Sequence, residues 1–165
     1  MIATISMGSK DFDLERFPGK RRSVTAPDNA NIVYGGTATA PKISSLNDRP
    51  LPGNEFVTFS LPVKQMQQAK GPFPINDNHK VVTLEKAFEP QSLKELEGAI
   101  AVKGGGGGYL SNEISYRSIR LRDELNSYIP TGHIHTPRIQ QFEPETEAKI
   151  VKQIKAMLEQ SLVAI

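Results

Sequence analysis

Strand-like and helical segments that alternate through the second half of this chain predict an α/β layer fold with a largely parallel sheet. Three observations carry that expectation. The apolar run Gly98-Ala99-Ile100-Ala101-Val102 leads into five glycines, Gly104 to Gly108. A helical pattern leaves the glycines, and Gly132 to Thr136 then reads as a strand ended by Pro137. A crossover from the Ala99 strand through that helix to the Ile134 strand would be right-handed and parallel, bringing Ser111 and the histidines to one sheet edge.

Element by element, Ile2 to Met7 alternates apolar and polar residues as a strand does, and Gly8-Ser9-Lys10 turns it. Phe12 to Phe17 alternates again. Pro27-Asp28-Asn29 is a turn signal, and Ile32 to Asn54 is a long loop-and-hairpin region rich in Gly, Pro, Ser, Thr and Asn. Glu55 to Phe59 is a candidate strand. Ser60-Leu61-Pro62 starts a short helix with Val63, Met66 and Ala69 on one face. Gly71 to Asn78 reads as a break, Val81 to Leu84 as a short strand, Pro90 to Leu96 as a short helix and Ala99 to Val102 as a strand. In the helix after the glycines, Leu110, Ile114, Leu121 and Leu125 are spaced as a buried stripe. The last helix begins near Pro144, with Glu143, Glu145 and Glu147 at its positive end, and should bury Ile150, Ile154, Met157, Leu158 and Leu162.

At 165 residues the chain suits one domain, 1–165, which would bury roughly 70% of its unfolded surface. Lys and Arg number 20 against 18 Asp and Glu, a net charge of +2 that gives no electrostatic argument for nucleic acid or a membrane surface. No apolar run approaches the roughly 20 residues that span a bilayer, and the first residues do not resemble a signal peptide. With no cysteine, disulfides and thiolate-bound metal are excluded.

Ser111 stands where a glycine-rich loop meets a helix start. It can be a nucleophile, or simply an N-cap, for which serine is among the best residues. Leu110 and Asn112 flank it, so it is not the Gly-x-Ser-x-Gly elbow of the hydrolases; Tyr109-Leu110 after the last glycine excludes a P-loop. His133 and His135 share one face of their strand. They could be a metal pair, a general base with its neighbour, or ordinary strand residues. With His79 as the remaining histidine, the metal reading is the weakest of the three and no cofactor is expected. Glu15 is a surface carboxylate or the group that orients a histidine.

Several segments, in order, resemble the pyroglutamyl peptidase I (pyrrolidone-carboxylate peptidase) family of cysteine peptidases. Asp13-Leu14-Glu15-Arg16 is similar to the family's hydrophobic-Glu-Arg motif, and Pro27-Asp28-Asn29 to its Pro-Asp-Asn turn. Leu51-Pro52-Gly53 and Phe59-Ser60-Leu61-Pro62-Val63 resemble the segment entering the Leu-Pro helix. Gly108-Tyr109-Leu110-Ser111-Asn112 with Tyr116 resembles Gly-x-Tyr-Leu-Cys-Asn, and Gly132-His133-Ile134-His135-Thr136-Pro137 resembles Gly-Phe-Ile-His-Val-Pro.

The resemblance implies an α/β/α sandwich that removes N-terminal pyroglutamate from peptides. Ser111 would stand at the nucleophile position, His135 at the base and Glu15 at the orienting carboxylate. Gly107, Gly108, Arg16 and Asn112 would face the substrate or the oxyanion. Serine in place of the thiol is a first departure, because a hydroxyl is not ionised near neutral pH. The family's first strand and Gly-Phe-rich pocket loop have no counterpart before Met1. Lys20 replaces an Asn, His133 replaces a pocket Phe, and Gln68 to Lys103 is longer than usual. These departures leave two expectations: a Ser-His-Glu hydrolase, or a non-catalytic member keeping the fold as a binding or structural domain. The resemblance also implies a cytoplasmic protein, with any export signal lying upstream of Met1, and an open sheet edge would favour a homo-oligomer.

Overall fold

The computed structural model describes residues 1–163, and its centre is a four-stranded sheet. In chain order the first strands are β1 (Ile2–Met7), β2 (Phe12–Glu15), β3 (Arg21–Arg22), β4 (Lys42–Ile43), β5 (Ser45–Leu46) and β6 (Arg49–Pro50). A single helical turn, α1 (Val63–Met66), separates these from β7 (Ile75–Asn78), β8 (Val81–Thr83) and β9 (Ala87–Phe88). A 3-10 turn (Leu93–Leu96) precedes β10 (Ala101–Lys103), followed by α2 (Leu110–Glu124), β11 (Thr131–Thr136) and α3 (Pro144–Leu162). No helix among the described residues is long and apolar enough to cross a membrane.

The central sheet has the order β1-β11-β2-β7. β1 pairs with β11 and β2 with β7 in parallel, while β11 and β2 run antiparallel, so the sheet is mixed and mostly parallel. The α/β class expected from the sequence is therefore present. Its expected connection is not: β10 does not join β11 through α2 in one sheet. β10 lies instead in a separate antiparallel sheet, β10-β8-β9.

Side chains alternate across β11. Ile134 enters a core with Phe12 and Leu14 of β2, Met66 of α1 and Ile150 and Met157 of α3, while α2 packs on β1 and β11. Ile154 and Leu158 of α3 pack at the edge of that core, and Leu162 is exposed. Glu55 to Phe59 is not a ladder strand. It is an extended segment hydrogen-bonded to residues 16–20 through Lys20 N to Glu55 O, Val57 N to Pro18 O and Phe59 N to Arg16 O. Ser60 does not cap α1, whose N-cap is Pro62; its hydroxyl accepts from Thr131 N at 3.0 Å. The break expected over Gly71 to Asn78 contains β7, a sheet-edge strand whose polar Asn76, Asp77 and Asn78 pair with β2 through the backbone.

The largest correction concerns α2. Leu110, Ile114, Leu121 and Leu125 are all exposed, and the helix buries Asn112, Glu113, Ser115, Tyr116 and Ile119. The helical periodicity is real, but the face turned inward carries Asn112, Glu113 and Tyr116, whose polar groups find partners, and Ser115, whose buried Oγ finds none among the described residues. Tyr116 Oη donates to Asn54 O at 2.6 Å, and burial pushes its phenol up to about 12. The outward stripe also lies beside β1, which pairs on one side only among the described residues and exposes Ile2, Ile5 and Met7.

This assignment predicts opposite outcomes for two apolar residues of one helix. Ile119, 0% exposed, should cost about 2–5 kcal/mol on truncation to Ala. Leu125, 68% exposed, should cost no more than about 0.5 kcal/mol. Urea unfolding of the two alanine variants measures both; equal losses would contradict the orientation of α2.

Candidate active site

Parallel pairing of β1 and β11 sets Thr4 opposite His133 and Ser6 opposite His135. All four side chains therefore rise from one face of the sheet, the face on which α2 lies. On the other side of β11, Leu14 of β2 pairs with Ile134, so Glu15 falls on the histidine face.

Glu15 is 2% exposed and its carboxylate is fully engaged. Oε1 lies 2.7 Å from His135 Nδ1, and Oε2 accepts from Asn78 Nδ2 at 2.8 Å. A carboxylate on Nδ1 holds that nitrogen protonated and directs the lone pair of Nε2 outward. Nε2 makes no hydrogen bond to protein among the described residues.

Ser111 is the second residue of α2 and does not act as its N-cap, which is Tyr109. Its hydroxyl oxygen lies 2.8 Å from Ser6 Oγ, and no hydrogen bond joins it to His135 among the described residues. Ser6 Oγ is in turn 2.9 Å from His133 Nε2, and Thr4 Oγ1 is 2.8 Å from His133 Nδ1. The histidine wired to Ser111 is thus His133, through a serine that the sequence reading did not single out. Both its nitrogens are occupied and Glu15 holds one of His135's, an arrangement unlike a metal pair. The two rings meet edge to face with centroids 4.9 Å apart. Burial, then the charge of His135, depresses His133 to about 3, so the ring is neutral over the ordinary pH range.

The glycine run lets the backbone pass close to this cluster. A Cβ on Gly105 would sit 2.9 Å from the Glu15 Cβ, and Gly106 adopts φ 95° against the start of α2. Gly107 N donates to Gly104 O at 2.9 Å, which removes it as an oxyanion donor. Gly108 N makes no hydrogen bond among the described residues. The first N–H groups of α2 have no intrahelical acceptor by helix geometry. Asn112 has a different task from the one expected. Its buried amide accepts from Gly19 N and donates to Gly19 O, each at 2.7 Å, and so ties α2 to the loop after β2. Arg16 points to Asp77, 3.3 Å away, rather than into the site.

A groove of about 300 Å³ opens at Ser111, lined by Ser6, Leu110, Ser111, Glu113, Ile114 and Arg117. Glu113 and Arg117, ion-paired at 2.6 Å, form its charged wall. Burial raises the carboxyl, but hydrogen bonds from Arg22, Ser44 and Arg117 outweigh it and hold the group below the usual range. A larger cavity, about 550 Å³ between residues 54–56 and 93–100, touches none of these side chains.

A family model described as the C-terminal domain of PA0049 matches residues 74–140, less than half of the chain. Uncharacterized protein PA0049 of Pseudomonas aeruginosa is 60% identical over 37 residues, which are 22% of this chain and 7% of that protein's length. Pyrrolidone carboxyl peptidase from the hyperthermophile Pyrococcus furiosus superposes over 98% of this chain and 68% of its own, with a TM-score of 0.60 and 16% identity. An engineered variant of that enzyme gives 0.60 and 15% over 97% of this chain and 67% of its own. At such identity the likeness establishes the fold, and with it the α/β class.

The buried imidazole sets an acid limit. His133 carries an ordinary value of 6.5 in the unfolded chain and about 3 in the fold. Below about pH 6.5 the unfolded state takes up a proton that the fold refuses, so this contribution is whole above about pH 6.5 and is lost progressively toward pH 3. The loss has an upper bound of roughly 4–5 kcal/mol. Urea unfolding across this window should show a shallower acid slope in His133→Gln than in the wild type.

Proposed function

We propose that the chain is a peptidase-type hydrolase domain in which Ser111 attacks an amide carbonyl, His135 is the base and Glu15 orients it. The observation that carries this reading is the buried Glu15 carboxylate on His135 Nδ1, which leaves Nε2 as the free basic nitrogen of a half-buried ring. The fold shared with pyrrolidone carboxyl peptidase supports a peptide with N-terminal pyroglutamate as substrate.

In the reaction, Ser111 Oγ bonds to the acyl carbon as its proton passes to His135 Nε2. The C–N bond then breaks, and the amine leaves with that proton. Water, activated by the same nitrogen, frees the acid and restores Ser111. The negative oxygen of each tetrahedral intermediate would be met by the first-turn N–H groups of α2 and by Gly108 N.

One observation favours a second reading, a non-catalytic binding domain. The Ser111 hydroxyl is bonded to Ser6 and not to the base. Catalytic bonds are often loose until substrate binds, so the hydrolase reading does not require a Ser111–His135 bond in the free protein.

A fluorogenic pyroglutamyl amide separates them. Turnover should vanish in Ser111→Ala and fall by roughly a hundredfold or more in Glu15→Gln, which cannot hold the imidazolium. Equal turnover by wild type and Ser111→Ala would remove the hydrolase proposal. A wild type that neither turns over nor reacts with a serine-directed fluorophosphonate would leave the binding domain standing.

A further inference from the structure

Four side chains of the histidine face form one continuous file: Thr4, His133, Ser6 and Ser111, linked by contacts of 2.8, 2.9 and 2.8 Å. His133 is 0% exposed, Thr4 and Ser6 are half-buried, and no charged group ends the file. Such a file conserves protons, because each hydroxyl has one to give and a neutral imidazole carries one N–H and one lone pair. The direction of any single bond therefore fixes all the others.

The Ser6–Ser111 bond decides the direction, with Ser6 Oγ donating to Ser111 Oγ at 2.8 Å. The Thr4 hydroxyl can donate to His133 Nδ1 at 2.8 Å or to Gly132 O at 3.3 Å. If Thr4 donated to Gly132 O while Ser6 donated to Ser111, both nitrogens of His133 would have to carry protons. Burial in this site forbids that charged ring. With Ser6 Oγ donating to Ser111 Oγ, the neutral ring needs the Thr4 proton directed at its Nδ1, and the longer contact to Gly132 O gives way. His133 then carries its proton on Nε2 and donates to Ser6 Oγ, and Ser6 donates to Ser111 Oγ.

We propose that Thr4, His133 and Ser6 are positioning residues that deliver a hydrogen bond to the Ser111 oxygen and leave the Ser111 proton free to depart. This rests on the hydrolase reading of Ser111. A donor on the oxygen stabilises the alkoxide as the proton leaves, which a serine needs more than an already ionised thiol does. The file also fixes the rotamer of Ser111 from below, so the attacking oxygen stays at the floor of the groove.

The test uses the full chain in two arms. In the first, long-range proton–nitrogen correlation on 15N-labelled protein reads the tautomer of His133, assigned by its loss in His133→Gln. The Nε2–H form is expected, unchanged between about pH 8 and pH 5 because the group sits near 3. An Nδ1–H form would reverse the file, tie the Ser111 proton to Ser6 and overturn the proposal. In the second arm, Ser6→Ala should slow labelling of Ser111 by a fluorophosphonate by about tenfold, lowering kcat with KM unchanged, and Ser6→Thr should restore it. Faster labelling in Ser6→Ala would mean that Ser6 restrains the nucleophile, and would also overturn the proposal. A wild type that is never labelled removes the hydrolase reading, while the tautomer still decides the direction of the file. Circular dichroism on each variant separates these effects from misfolding.

Discussion

The parallel register of β1 against β11 is the constraint on which the rest of this site depends. It sets Thr4 beside His133 and Ser6 beside His135, and so supplies a buried imidazole with two hydroxyl partners. A slip of one residue would exchange Thr4 and Ser6 for the alternate residues of β1, among them Ile5. His133 would then keep two buried nitrogens without partners, at about 1–3 kcal/mol each. The same slip would remove Ser6 from beneath Ser111. Because burial and hydrogen bonding both penalise the alternative, one register is strongly specified even though β1 is an edge strand with exposed apolar residues.

Much of the site was legible because its groups lie in short segments with strong local signals. Glu15 closes an alternating run, His135 sits on a strand bounded by Gly132 and Pro137, and Ser111 follows five glycines. Ser6 and Thr4 were not legible. Nothing in Ile2 to Met7 says which neighbour its hydroxyls will meet, since that depends on pairing with a strand some 130 positions away in the chain. β7 was missed for a related reason. Ile75-Asn76-Asp77-Asn78 has the composition of a turn, and β2 recruits it through backbone hydrogen bonds that side-chain patterns do not encode. Asn78 then reaches Glu15, so even this unrecognised strand contributes to holding the carboxylate.

Helix α2 marks the limit of periodicity as a guide. The pattern of Leu110, Ile114, Leu121 and Leu125 identifies a helix correctly but not the side it buries. The inward face is selected by bonds of long sequence separation: Asn112 to Gly19, Glu113 to Arg22 and Ser44, Tyr116 to Asn54. Each of these groups would cost about 1–3 kcal/mol if buried without its partner, as Ser115 Oγ is among the described residues. These long-range bonds fix the orientation of the helix, and its apolar stripe is left at the surface beside β1, whose outer edge is unpaired among the described residues.

Two histidines on one strand, two residues apart and on one face, have been given opposite surroundings. His135 has a buried carboxylate on Nδ1 and no protein partner on Nε2 among the described residues. Among the described residues His133 has hydroxyl partners alone, which carry no charge to offset its own, and burial keeps it neutral. Their contact at 4.9 Å couples them, because charge on His135 further disfavours charge on His133. Burial keeps charge off His133 over the ordinary pH range. His133 keeps its single N–H and its orientation throughout. A neutral, hydrogen-bonded ring beneath Ser111 and a ring with an open Nε2 beside Glu15 are separate environments, and one strand supplies both because its side chains repeat every second residue.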